Sequence, residues 1–540
     1  MQTTALQLET LNAPSLLKYI KELEDSFNEK INKQIEQIRI LTNENLLLKE
    51  ECAIAKYKQY ARSSEQLKLD PSQKLLFDEE SLDKNNKAPV DDIEYKEVKS
   101  YKRRKCGRKP IDPNLPREDV IIDIDESEKT CGCGAKLNRI GEETSEKLEI
   151  EPQKIKVIRF IRPKYACRHC EGTEDEEKKT VRIAPVPPSI IPKGIATPSL
   201  ASHIITNKFE DHLPYNRQEK IFDRIKIAIS RQDMSNWQQY IYAKVKPIFD
   251  FFRIAIKKGP VMRMDETTVQ VMGEKGREDT QLSYMWLACG GLPEKPVVLY
   301  EYRETHAAYN AKEILEGYKG FLQTDGYEAY DSALKGNKDI IHAGCFAHAR
   351  RHFIEAVEIA SQAEAAKTAV QYIKKLYEIE TELQRRYKKE KYAKYSDEEK
   401  RKMFLRVRQL CAWDPLKKFK EWLLKVKDEY PPSLKFGKAV NYSLAQWDKL
   451  VVYLRSPYLT PDNNESERLI RPFVLGRANW LFSKSPGGAE SSCGMYTLIQ
   501  TAKLNGLNPQ EYLQALFEEA PKVSSPEGWE KLLPWNIFKN

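Results

Sequence analysis

The chain has 540 residues, of which 41% are hydrophobic and 31% charged. That apolar content supplies several packed cores and excludes a wholly disordered chain. Lys plus Arg number 89 against 80 Asp plus Glu, so a net charge of +9 speaks for an anionic partner only where the cations cluster.

No apolar run reaches the roughly 18 residues of a membrane span. The N-terminus lacks a basic stretch followed by an apolar one, so no secretory signal is expected. Ten cysteines, four of them in two close pairs and the rest scattered singly, fit a reducing cytosol, with close cysteine pairs read first as metal ligands.

Residues 15–56 read as one long helix. A heptad register places Leu17, Glu24, Ile31, Ile38, Asn45 and Cys52 at a, and Ile20, Phe27, Gln34, Leu41 and Leu48 at d. Such a seam must bury against a partner helix, which predicts a self-associating coiled coil. Residues 57–98 are a polar linker. It ends in Lys102, Arg103, Arg104, Lys105, Arg108 and Lys109, with no acid between them. This extended basic segment is suited to lie along phosphates.

Residues 119–185 alternate like short strands. Cys131-Gly-Cys133 and Cys167-Arg-His-Cys170 flank them. Four thiolates around one zinc ion would staple a small strand-rich domain. The C-x2-C spacing of the second pair is usual for zinc, whereas the first pair is tighter. Helices are expected over 201–208, 215–225 and 230–245, with Ser230 capping the last. The final two resemble a helix-turn-helix.

From 261 the period changes. VMRMDETTVQVM, LSYMWLACGG and PVVLYEYR read as three antiparallel strands. A helix follows, then GFLQTDGY and DIIHAGCFAH as further strands. That order suits an RNase H-like domain. Residues 352–455 interrupt it with helical sequence, and the pattern resumes near 462.

Asp265 lies within an apolar strand, where an acid needs a partner or a cation. Asp325 ends a strand expected beside it. The helix after PDNNESERLIRP contributes Glu465 or Glu467, with Asp462 and Asn463 as caps. Three carboxylates form a hard oxygen site for two divalent cations. Arg468 and Arg471 are spaced either to clamp a phosphate or to pair with those glutamates. Arg477 and Lys484 follow. Trp480 reads as core, in preference to a base-stacking residue. His342, His348 and His352 cluster with Cys345, and a structural or backbone-contacting role for His348, Arg350 and Arg351 is preferred to a second metal.

The sequence resembles the large-subunit transposases of the insertion sequence 66 family. The resemblance is carried by DETTVQV at 265–271, FLQTDGYEAYDS at 321–332, HAGCFAHARRHFIEA at 342–356, DNNESERLIRPFVLGRANWLFSKSPGGAESS at 462–492 and TLIQTAKLNGLNPQEYL at 497–513. It implies a multidomain α+β chain. The parts are a leucine-zipper-like coiled coil (1–60), a flexible linker with the basic cluster (61–115), a zinc-finger-like domain (116–190) and a helical region (191–255). An RNase H-like DDE catalytic domain (256–480) with a helical insertion at about 354–455, and a C-terminal domain (481–540), complete it.

By the same resemblance the catalytic residues and Mg or Mn ligands fall on Asp265, Asp325 and Glu467, and structural zinc on Cys131, Cys133, Cys167 and Cys170. DNA contacts fall on the basic cluster and on Arg468, Arg471, Arg477 and Lys484. The implied activity is metal-dependent cleavage and strand transfer at element ends. Double-stranded DNA, a second copy of the chain and small accessory proteins are the expected partners, in a bacterial cytoplasm beside the nucleoid. The competing readings are a nuclease without strand transfer and a non-catalytic DNA-binding assembly module.

Overall fold

The computed structural model describes residues 13–60, 155–166, 181–192, 194–357, 362–388, 392 and 394–539. The chain divides into two compact units, 82–186 and the remainder. In the smaller unit, β1 (Lys164–Ala166) and β2 (Val181–Ile183) pair antiparallel. Arg162 donates to the Ala184 carbonyl beside them at 2.8 Å. The basic cluster and all four paired cysteines lie outside the described residues.

In the larger unit, α1 (Ala13–Tyr60) is one uninterrupted helix. Of its seam residues, Ile20, Phe27, Ile31, Ile38, Leu41 and Leu48 are exposed. Near its end, Glu50 is buried, accepts from Gln362 at 3.0 Å, and accepts the backbone N–H of Lys435 at 3.3 Å.

Four helices follow: α2 (Pro198–Phe209), α3 (Tyr215–Arg224), α4 (Arg231–Val245) and α5 (Pro247–Lys257). Ser230 caps α4 in a reciprocal box with Asp233, as its position before the helix predicts. The sheet then begins. β3 (Val261–Val271), β4 (Leu282–Leu292) and β5 (Lys295–Arg303) form an antiparallel meander. After α6 (Ala308–Ile314), β6 (Gly320–Gln323) returns beside β3 and parallel to it. After α7 (Glu328–Leu334), β7 (Ile340–Ala343) pairs with β6, also parallel. The order is β5-β4-β3-β6-β7, a mixed sheet with β3 at its centre.

Next come α8 (Phe346–Val357), α9 (Ala363–Tyr387), α10 (Asp397–Val426), α11 (Lys435–Ala445) and the short α12 (Trp447–Leu450). Their apolar faces share a core of their own, with Phe353, Ile373, Leu416, Phe419 and Phe436 at its centre. The chain rejoins the sheet through α13 (Asn464–Trp480) and β8 (Phe482–Ser483), which pairs with the far end of β3. α14 (Pro486–Leu504), α15 (Pro509–Glu519) and α16 (Pro526–Lys531) follow, and α14 and α15 contribute to the sheet's own core. Ser485 caps α14, so the Ser-Pro-Gly-Gly stretch starts a helix.

An edge strand leaves backbone groups that need partners. On β5 the hydroxyls of α14 supply some of them. Thr497 accepts from the Tyr300 N–H at 3.0 Å, and Thr501 donates to the Val298 carbonyl at 3.0 Å. Trp480 packs edge-on against Phe473 and joins the core, as expected. Among the described residues, no helix is long and apolar enough to cross a membrane.

Candidate active site

The register of β3 against β6 pairs Arg263 with Gln323. Two residues further on stand Asp265, still within β3, and Asp325, just past the end of β6, and Asp325 is among the charges that act on the Asp265 carboxyl. Arg263 and Gln323 meet directly, with Nε donating to Oε1 at 3.2 Å.

α13 lies against β3, and its start is anchored at several points. The Asn463 amide donates to the Met264 carbonyl at 3.0 Å, one residue before Asp265. The Asn463 N–H donates to Cys345 Sγ at 3.2 Å, and Phe346 N–H donates to the Pro461 carbonyl at 2.9 Å. The expected capping is therefore corrected in part. Asp462 does accept the Asn464 N–H at 3.2 Å, but Asn463 makes no side-chain cap and ties the helix to β3 instead.

The two glutamates separate. Glu465 pairs with Arg263 at 2.9 Å and stays 46% exposed. Glu467 is buried, with its Oε1 3.7 Å from His348 Nδ1 and 3.6 Å from Arg351 Nη2.

Electrostatics tie the three acids together. Burial raises the Asp265 proton affinity well above the usual carboxylate range, and Glu266, Asp325 and Glu467 raise it further. Asp325 is pushed up to about 6, by burial first and then by Glu266, against the stabilising N–H of Tyr327. That N–H reaches Asp325 Oδ1 at 3.0 Å. Buried acids whose proton affinity is raised by neighbouring carboxylates would gain from a cation, and all their donors are hard oxygens. This set fits a divalent cation of the Mg type.

Three supporting features escape sequence reading. Glu266 acts on both aspartates, and its own carboxylate is held by His306, whose Nε2 lies 2.7 Å from Oε1, and by the Tyr330 hydroxyl, which donates to Oε2. His306 is stacked between Tyr284 and Tyr327, at 4.5 and 4.0 Å between centroids. Gly326, directly after Asp325, is so close to Tyr442 of α11 that a Cβ would fall 2.4 Å from its hydroxyl.

The expected DNA-contacting arginines divide. Arg468 and Lys484 are exposed, and Arg471 is half-buried. Arg477 donates to Thr268 Oγ1 at 3.0 Å, to Thr267 Oγ1 at 3.2 Å and to the Thr268 carbonyl, so it braces α13 on β3.

Four family descriptions match successive parts of the chain. The description "Transposase IS66 family" matches residues 193–491, and "zinc-finger binding domain of transposase IS66" matches 128–171. "IS66 C-terminal element" matches 497–535, and "Transposase C of IS166 homeodomain" matches 47–120. The chain belongs to the IS66 transposase family.

Two relatives from Sinorhizobium fredii (strain NBRC 101917 / NGR234) align over most of it. "Uncharacterized protein y4jD" is 34% identical over 434 residues, covering 78% of this chain and 80% of that protein. "Uncharacterized protein y4hP" is 29% identical over 459 residues, covering 81% and 78%.

Proposed function

We propose that this transposase cleaves element ends and transfers their strands through a DDE site made of Asp265, Asp325 and Glu467. The observation that carries the reading is the convergence of Asp265 on β3, Asp325 just past the end of β6 and Glu467 on the helix laid against β3, where the two aspartates are raised by burial and by the acids around them, Glu467 included. The strand order supports an RNase H-like catalytic domain.

Asp265, Asp325 and Glu467 would hold two Mg or Mn ions, which when bound supply charge stabilisation and an activated nucleophile. The chain itself fixes the carboxylates. The Tyr327 N–H orients Asp325, the Glu266 N–H orients Asp265 at 2.9 Å, and Asn463 sets α13 against β3. In the reaction, water attacks a phosphodiester at the element end and frees a 3′-hydroxyl. That hydroxyl then attacks target DNA. In the first step water's oxygen displaces the 3′-oxygen from phosphorus and leaves a 5′-phosphate; in the second the 3′-hydroxyl displaces a 3′-oxygen of the target strand, one phosphodiester replacing another, so neither ATP nor a covalent enzyme intermediate is required.

Arg468, Arg471 and Lys484 are suited to flank the DNA strand, and the basic cluster from Lys102 to Lys109 to track its backbone. Cys131, Cys133, Cys167 and Cys170 would hold a structural zinc, in line with the zinc-finger match over 128–171. The exposed seam of α1 supports self-association. Small accessory proteins and a cytoplasmic, nucleoid-associated location complete the reading.

The test is incubation with Mg²⁺ and a labelled duplex carrying the element end. Joined products support transposition. Hydrolysis without joining favours a nuclease, and intact substrate overturns the reading.

A further inference from the structure

His348, Arg351 and Cys345 surround Glu467 without any role in the proposed chemistry. Ligand atoms of Cys345, His348 and Glu467 lie within 4.8 Å of one another. Such a group is built either to hold an ion among sulfur, nitrogen and oxygen, or to orient the carboxylate with donors. The tautomer of His348 decides between these.

Arg351 Nη1 lies 3.1 Å from His348 Nε2. A guanidinium carries donors only, so Nε2 accepts and the ring hydrogen sits on Nδ1. Nδ1 therefore turns an N–H, and no lone pair, toward Glu467 Oε1 at 3.7 Å. A metal-bound histidine has the reverse arrangement, with its far nitrogen donating to a carboxylate or carbonyl. Cys345 Sγ is in turn occupied by the Asn463 N–H. The second guanidinium nitrogen, Nη2, approaches the same glutamate oxygen at 3.6 Å. These separations exceed a formed hydrogen bond, as is common before a catalytic site is loaded.

We propose that His348 and Arg351, one turn apart on α8, are positioning residues that hold Oε1 of Glu467 and so set its carboxylate toward Asp265 and Asp325. The inference rests on the DDE reading of the site. Its physical content is a supporting shell for a metal ligand, carried on an element separate from the ligand's own helix. Partners of this kind are worth roughly 10–100-fold in metal affinity or activity.

The experiment compares the full chain with His348→Ala, His348→Asn and His348→Gln, each confirmed as folded by circular dichroism. Two quantities are measured: the Mg²⁺ concentration for half-maximal cleavage of an end duplex, and Mn²⁺ binding by electron paramagnetic resonance. An Asn amide sits where Nδ1 was, and a Gln amide where Nε2 was. The expected result is a metal requirement raised roughly 10–100-fold in His348→Ala, restored by Asn and not by Gln.

A wild-type metal requirement in His348→Ala, or equal behaviour of Asn and Gln, overturns the proposal. So does stoichiometric Cd²⁺ uptake that Cys345→Ser abolishes, which would make the group a metal site. Glu467→Gln is the control. If it stays active, the DDE reading itself fails. If it is inactive while His348→Ala is unaffected, only the positioning role fails.

Discussion

Glu465 and Arg263 meet at 2.9 Å, and Arg263 at the same time donates to Gln323 and to the Tyr458 carbonyl. One guanidinium thus joins β3, β6 and the segment leading into α13. Glu465 belongs to this brace, whereas Glu467 is buried and is among the charges that raise Asp265 and Asp325. Glu467→Gln is therefore expected to abolish cleavage, and Glu465→Gln to retain it. Because Glu465 is 46% exposed, its loss should cost no more than about 1 kcal/mol. Single-turnover cleavage and thermal melts of the two variants check this, and an inactive Glu465→Gln that still folds would reverse the assignment.

The acidic cluster carries a stability cost that metal should relieve. Asp325 titrates at about 6 in the fold, above its ordinary 3.8. A carboxyl with a raised folded value makes the folded state bind more protons than the unfolded one between those limits. Stability from this group is thus greatest below its unfolded value and is lost as pH rises through about 6. Metal-free protein should melt lower at pH 7.5 than at the acid end of this window, as far as Asp325 is concerned. Asp325→Asn should flatten that dependence and raise the metal-free melting temperature at neutral pH. Mg²⁺ should raise it for the wild type and much less for the variant. Calorimetry with and without EDTA provides the measurement.

How far the site could be read from sequence depends on how local its causes are. Asp265 and Asp325 stand out because each interrupts or ends an apolar strand, and adjacent strands bring them together. The residues alone leave Glu465 and Glu467 open and the family resemblance points to Glu467; the contact that sets the two apart, Glu465 with Arg263, lies about 200 residues away in sequence. The role of Asn463 is hidden for the same reason, because its partner is a carbonyl on β3. Its residue type suits a cap, and tertiary contact overrode that preference. Glu266 reads as an ordinary strand residue until His306 and Tyr330 close over it from other elements. α5, with Phe249, Phe252 and Ile256 buried, falls almost wholly within the helical region expected over 191–255, but its apolar residues run on toward the β3 pattern and blur where it ends.

Lys208 provides a pH test remote from the acids. Its ammonium lies 4.0 Å from the Tyr215 ring centroid and donates to Gln238 at 3.0 Å. Burial lowers its pKa to about 7. Between this value and the ordinary 10.5, the unfolded chain holds a proton that the folded chain has released. Stability from this group should rise with pH across that window, and be insensitive to pH below it. Lys208→Met should remove the slope while leaving cleavage at neutral pH in place. Equal slopes for the variant and the wild type would refute the burial of this charge.

Within the helical insertion a buried ion pair joins α9 to α10, and its arginine also reaches the segment that leads into α13. Arg408 of α10 meets Glu380 of α9 through two contacts, at 2.5 and 3.0 Å, with side chains only 1% and 8% exposed. Its remaining nitrogen donates to the Tyr453 and Ser456 carbonyls, at 3.1 and 2.9 Å. Removing one partner leaves a buried charge uncompensated, which costs about 3–5 kcal/mol. Arg408→Ala should fall in that range by denaturant titration. A double change to Arg408→Leu with Glu380→Leu should cost less, because no charge is stranded, although two carbonyls lose their donor. The segment after Ser456 runs through Tyr458 and Thr460, whose carbonyls accept from Arg263 and Gln323 at 3.0 and 2.7 Å, into the start of α13. Arg408→Ala should for that reason slow cleavage even where it remains folded, and raise the Mg²⁺ requirement in parallel. Stability lost with cleavage fully retained would mean that the insertion and the catalytic helix are mechanically independent.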